Sequence, residues 1–128
     1  LELAEAAEKA WPKESTEQLY SCGAGKTAYS LDPYGELHPC LIVQSHGFHL
    51  NKKGGIQAGW DGVLREFRSC RATDFFSCNN CENRKLCTAC PAVFAAVSGD
   101  PEQVDPFYCR YAEKRRDNIY AFRSKHNG

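Results

Sequence analysis

The residues best suited to do chemistry in this 128-residue chain are its eight cysteines, at 22, 40, 70, 78, 81, 87, 90 and 109. Three uses of thiols fit such a count. A disulfide framework would staple a secreted domain. Against it, Cys78, Cys81, Cys87 and Cys90 fall within 13 residues, and a Cys-x2-Cys pair rarely bridges to itself without strain. Structural zinc would use Cys78/Cys81 and Cys87/Cys90 as two knuckles closing one tetrahedron. The loop between them, Glu82 to Leu86, has only five residues, where zinc ribbons separate their knuckles by about a dozen or more. Iron–sulfur clusters take four thiolates each from short-spaced runs, and the last cysteine of a run often serves a different cluster. Eight thiols suffice for two four-iron clusters, and a Cys-Pro step such as Cys90-Pro91 ends several ferredoxin-type runs. Count and spacing favour iron over zinc.

These thiols need elements to position them. Residues 26–41 predict a hairpin. Thr27 to Leu31 favours a strand with Tyr29 and Leu31 on one face. Asp32-Pro33-Tyr34-Gly35 has the residues of a type I turn, and Glu36 to Cys40 returns. Antiparallel pairing would bring Cys22, at the entrance, close to Cys40, at the exit. Gly23 and Gly25 would let amides approach bound sulfur, with Asn79 and Asn80 as further polar neighbours. Residues 44–58 predict a polar loop containing His46, His49, Gly54 and Gly55. A short helix is expected from Gly59 to about Arg68, with Trp60, Val63, Leu64 and Phe67 at i, i+3, i+4 and i+7 on a core face. Residues 70–109 predict mostly irregular backbone, with a helical turn or two at 91–97. A closing helix is expected over 110–126, with Ala112, Ile119 and Phe122 inward. Its six basic and two acidic side chains give a local charge of +4, either a solvated face or a docking surface for an acidic partner. Residues 1–11 carry an apolar stripe of Leu3, Ala7, Ala10 and Trp11, predicting a helix stopped by Pro12 and followed by a polar linker over 13–21.

Other function classes are excluded or disfavoured. Sixteen basic and sixteen acidic residues leave no net charge, which rules out a polybasic nucleic-acid arm as the main identity. No window of 18 apolar residues could span a membrane. The first residues, Leu1 to Glu5, lack the basic region and apolar core of a signal peptide, and a cytoplasmic location is expected. No Gly-rich phosphate loop or Ser-His-Asp pattern stands out. Apolar content outside the cysteines is modest, so ligand–metal bonds are expected to supply part of the folding free energy. The expected fold class is small α+β: a β-hairpin, short helices and irregular cysteine-rich loops organised around bound metal.

Cys22-x12-Gly35-x4-Cys40, then Cys78-x2-Cys81-x5-Cys87-x2-Cys90, then Cys109 resembles the SPASM domain, the C-terminal twin-cluster extension of certain radical SAM enzymes. The segments Leu31-Asp-Pro-Tyr-Gly-Glu-Leu-His-Pro-Cys40 and Asp105-Pro-Phe-Tyr-Cys109, and the helix around Trp60, resemble it as well. The resemblance covers residues 20–110. It implies two auxiliary [4Fe–4S] clusters, one held by Cys22, Cys40 and Cys90, the other by Cys78, Cys81, Cys87 and Cys109. It also implies that residues 1–19 end a preceding radical SAM barrel and that 111–128 form a C-terminal helix and tail. In such enzymes the clusters relay electrons and position a peptide or protein substrate. The implied partners are therefore the barrel, that substrate and an external electron donor or acceptor, with no nucleic acid or membrane.

Two departures from the family pattern matter. Cys87-x2-Cys90 is one residue shorter than the family's usual spacing, and Glu14 to Ser21 contains no additional cysteine. The first cluster would then have three thiolates and an open iron, available to Cys70, to His46 or His49, to water or to a substrate group. Cys70 also has a second reading, as a buried thiol packing beside Phe67. The radical SAM signature Cys-x3-Cys-x2-Cys is absent, so this chain holds no complete active site of that enzyme class.

Overall fold

The computed structural model describes residues 18–126. The helix expected over 1–11 and most of the linker lie outside that range. The described chain is a small α+β structure with a three-stranded antiparallel sheet. Its elements, in order, are β1 (Ser30–Leu31), β2 (Glu36–His38), β3 (Phe48–His49), α1 (Gly55–Asp61), α2 (Val63–Arg68), α3 (Pro91–Ser98) and α4 (Pro106–His126).

The hairpin follows from its turn residues. Asp32 Oδ1 accepts hydrogen bonds from the Tyr34 and Glu36 amides, both at 2.9 Å, and the Gly35 N–H donates to the Asp32 carbonyl at 3.1 Å. Gly35 takes φ +82°, a conformation in which a side chain would be strained. β1 and β2 pair with Ser30 opposite His38 and Leu31 opposite Leu37. Tyr29 and Leu31 do not face a core; each is 52 % exposed.

The segment expected to be a loop over 44–58 contains β3, which pairs with β2 so that Glu36 faces His49 and Leu37 faces Phe48. The helix expected from Gly59 begins earlier, at Gly55, after Gly54 in the left-handed region (φ +93°). It is also broken. Gly62, at φ −95° and ψ −96°, ends α1 and starts α2. Leu64 and Phe67 are fully buried as expected, whereas Trp60 and Val63 are half-buried. The Arg68 guanidinium lies 5.2 Å over the Trp60 ring and donates to the carbonyls of Trp60 and Gly25.

Two apolar centres result. Leu37 sits between the sheet and α1, where Gly59 brings the helix backbone close enough that an added Cβ would stand 2.8 Å from Leu37. Ala24, Val43, Phe67 and Ala92 form the other centre, with Tyr20, Cys22, Cys40 and Cys90 packed against it. Leu19, just before Tyr20, is buried and donates its amide to the Cys70 carbonyl at 3.1 Å.

α4 runs unbroken across residue 110, the expected domain limit. Asp105 Oδ1 accepts from the Phe107 amide at 2.8 Å and Pro106 opens the helix, the residue types that start helices well. Ala112 is buried and Ile119 half-buried, but Phe122 points outward at 55 % exposure, contrary to the expectation of an inward face. Among the described residues, no helix is long and apolar enough to cross a membrane.

Candidate metal centre

All eight cysteines lie within the described residues, and none is bridged. Residues 76–87 form a chain of tight turns. The amides of Asn79, Cys81, Arg84 and Cys87 donate to the carbonyls three residues back, of Phe76, Cys78, Cys81 and Arg84. This i→i+3 winding turns Cys78, Cys81 and Cys87 toward a common cavity of about 220 Å³. Cys109, in the first turn of α4, lines the same cavity. Cysteines up to 31 positions apart in sequence, Cys78 and Cys109, therefore line one cavity.

Basic residues hold this loop to its surroundings. Arg84 donates to the Cys78 carbonyl at 2.9 Å and its guanidinium stands 5.8 Å over the Phe76 ring. Arg115 donates to the Leu86 carbonyl at 3.2 Å. Arg116 donates to Asn83 Oδ1 at 3.2 Å and pairs with Glu82 at 3.3 Å. Part of the +4 charge of the closing helix is thus spent clamping the cysteine loop.

Cys22, Cys40 and Cys90 gather elsewhere, on the Ala24/Val43/Phe67/Ala92 centre. The Gly25 amide donates to the carbonyls of Ala28 and Pro39, at 2.8 and 3.1 Å. Those bonds tie the two ends of the hairpin together and leave this N–H engaged by oxygen rather than open to bound sulfur. Cys90 caps α3 from an extended backbone, with Pro91 in the first turn. Only Thr88 and Ala89 separate Cys87 from Cys90, yet the two thiols sit on different walls. Cys70, at the end of α2, donates its S–H to the Glu66 carbonyl at 3.6 Å.

Tyr20 records how these sulfurs are disposed. Its ring stacks on Phe67 at 4.2 Å. Burial, with the charges of Cys70, Cys90, Cys40 and Cys22 adding to it, pushes its phenol up to about 12. The Tyr20 phenol thus feels the charge of all four sulfurs. His46 contacts Phe67 edge-on at 5.5 Å, with its Nδ1 2.8 Å from the Ser45 hydroxyl.

Four thiols are held protonated above the ordinary range. Burial acts first on Cys78, against the pull of Arg84, and Cys81, Cys87 and Cys109 raise it further. Burial likewise raises Cys90, opposed by the amides of Val93 and Ala92 and assisted by Cys22 and Cys40. Cys109 is raised by desolvation at the cavity wall, then by Cys87 and Cys81. Burial and then Glu66 raise Cys70. Thiolates repel one another in both places, and a bound cationic group would relieve that repulsion and expel the protons.

The Ala89 amide donates to Cys87 Sγ at 3.4 Å, a sulfur-directed N–H that residue types alone do not single out. Asn79, expected near bound sulfur, instead donates its side-chain amide to the Thr73 carbonyl at 2.8 Å. Sequence reasoning also missed a non-sulfur cluster on the hairpin, formed by Asp32, Glu36 and His38. The signal for it was their i, i+4, i+6 spacing across a turn. Comparison with protein families, curated proteins and solved structures finds no match to this chain.

Proposed function

We propose that this chain is a SPASM-type auxiliary module that binds two [4Fe–4S] clusters and serves a radical SAM enzyme modifying a peptide or protein. The observation that carries the reading is the partition of the thiols. Cys90 leaves its sequence neighbour Cys87 to join Cys22 and Cys40, while Cys109 joins Cys78, Cys81 and Cys87 from a separate helix. Disulfide staples do not need such convergence, and two interleaved clusters do.

The residues fit the group. Cys78, Cys81, Cys87 and Cys109 would hold one cluster, and Cys22, Cys40 and Cys90 the other, with Cys70 as a further thiol whose charge also reaches Tyr20. A single zinc ion bound at about 2.3 Å by four thiolates draws them to about 3.8 Å from one another. A four-iron cluster takes four thiolates set wider apart, and the two places supply four thiols and three. The clusters would supply one-electron transfer. The chain's own part is to enclose them, to aim the Ala89 N–H at Cys87 Sγ and to keep the Arg84 charge beside Cys78, all of which tune reduction potential. A relay between the active site of an attached barrel and an external donor or acceptor follows, together with positioning of the substrate.

The test is anaerobic purification of the full chain followed by iron and acid-labile sulfide analysis. A brown protein with about eight of each per chain supports the reading. Cys81→Ala should remove about half of both. A colourless protein containing zinc, or a Cys81→Ala variant with full iron and sulfide, overturns it.

A further inference from the structure

Asp32, Glu36 and His38 bring three donor atoms within 4.8 Å of one another on the hairpin. His38 Nε2 stands 3.7 Å from Asp32 Oδ2 and 3.8 Å from Glu36 Oε2. Both separations are too long for hydrogen bonds. The His38 side chain is only 4 % exposed, and neither ring nitrogen has a hydrogen-bond partner. A buried ring nitrogen without a hydrogen bond costs on the order of 1–3 kcal/mol, and this Nε2 stands between two carboxylates at ion-pair distance, where a cation would fit.

The backbone builds the arrangement. Glu36 and His38 are two apart on β2 and so share a face. Asp32 spends Oδ1 on the turn amides, which leaves Oδ2 for the cluster. The loop after Cys40 closes over it at Gly47, where an added Cβ would collide with the Glu36 carboxylate and stand 3.0 Å from His38 Cε1. Donors bound at about 2.1 Å to a tetrahedral ion lie about 3.4 Å apart. The observed 3.7 and 3.8 Å need only a few tenths of an ångström of closure.

We propose that Asp32, Glu36 and His38 form a mononuclear site for a divalent first-row metal ion, separate from the cysteine sets. One imidazole and two carboxylates suit Mn²⁺, Fe²⁺ or Zn²⁺, and their two negative charges balance the ion. The carboxylates are 30 % and 41 % exposed, so solvent reaches the fourth position. Such a three-donor site keeps a place for water or a small oxygen ligand.

Mn²⁺ is the probe, because it favours oxygen and nitrogen over thiolate and so leaves the cysteines aside. The reduced full chain would be titrated with Mn²⁺ and followed by EPR, with paramagnetic broadening of the amide NMR signals. The expected result is one ion per chain, with broadening centred on residues 32–38 and Gly47. Asp32→Asn keeps the oxygen that accepts the turn amides, and Glu36→Gln keeps the side-chain shape. Both should retain the far-UV CD spectrum while losing more than about tenfold in affinity, since removal of even an outer partner costs that much. Absence of binding up to millimolar Mn²⁺, broadening centred on the cysteines, or unchanged affinity in both variants overturns the proposal.

Discussion

Tyr20 offers a measurement of sulfur convergence that needs no bound metal. Its phenol is pushed up to about 12 by burial and then by Cys70, Cys90, Cys40 and Cys22. A tyrosine at its ordinary value near 10 is about nine-tenths ionised at pH 11, whereas one at 12 is about one-tenth ionised. The perturbation is a titration of the reduced chain from pH 8 to 13, read as ultraviolet phenolate absorbance, with Tyr20→Phe subtracted to isolate this ring. Folding is followed by CD in parallel. The sign of the stability effect is set by linkage. The unfolded chain begins to lose this proton near pH 10 and the folded chain holds it to about 12, so stability falls as pH rises through that window and is flat below it. Two pH units correspond to at most about 2.7 kcal/mol. The ring is half exposed, and solvent screening reduces this to about 1 kcal/mol. Combined Cys22→Ala, Cys40→Ala and Cys90→Ala should lower the Tyr20 midpoint without returning it to 10, because burial is the larger cause. A wild-type Tyr20 that ionises near 10 while the fold persists, or a midpoint unmoved by the triple substitution, would refute the placement of these thiols around one phenol.

Two more outcomes are expected. Gly59→Ala would ordinarily stabilise a helix by about 1 kcal/mol. Here the new methyl would stand 2.8 Å from Leu37 and 2.9 Å from Phe48, and overpacking of about 1–3 kcal/mol should win; urea unfolding will show a lower midpoint, and a higher one contradicts the packing. The raised thiols of Cys70, Cys78, Cys90 and Cys109 are poorer in thiolate than a free cysteine at pH 8. Mass spectrometry after brief iodoacetamide treatment should find them alkylated more slowly than a free-cysteine standard, with the lag shrinking as pH rises.

What the sequence made legible was local. The Asp-Pro-Tyr-Gly turn declares itself because each residue meets a need within four positions: Asp32 accepts the amides and Gly35 takes the positive φ. The start of α4 is visible for the same reason in Asp105 and Pro106. β3 was not legible, since two residues carry no alternation and their pairing depends on a partner ten or more positions away. The break at Gly62 escaped because Trp60, Val63, Leu64 and Phe67 keep helical spacing across it. Spacing places the cysteines in two knuckles, but it cannot say which thiol turns to which wall; that depends on where α3 and α4 begin. Asp32, Glu36 and His38 were read only as turn and strand residues because His38's isolation is a property of burial, invisible in residue type.

The short strap between Cys87 and Cys90 consists of Thr88 and Ala89 alone. Three residue steps of extended chain reach no further than about 11 Å. Anything ligated at one end is thereby leashed to anything ligated at the other, and its amide at Ala89 already leans on one sulfur. Strain on either side would pull on the other through this covalent tether, so two groups bound at the two ends would be expected to assemble, and fail, together.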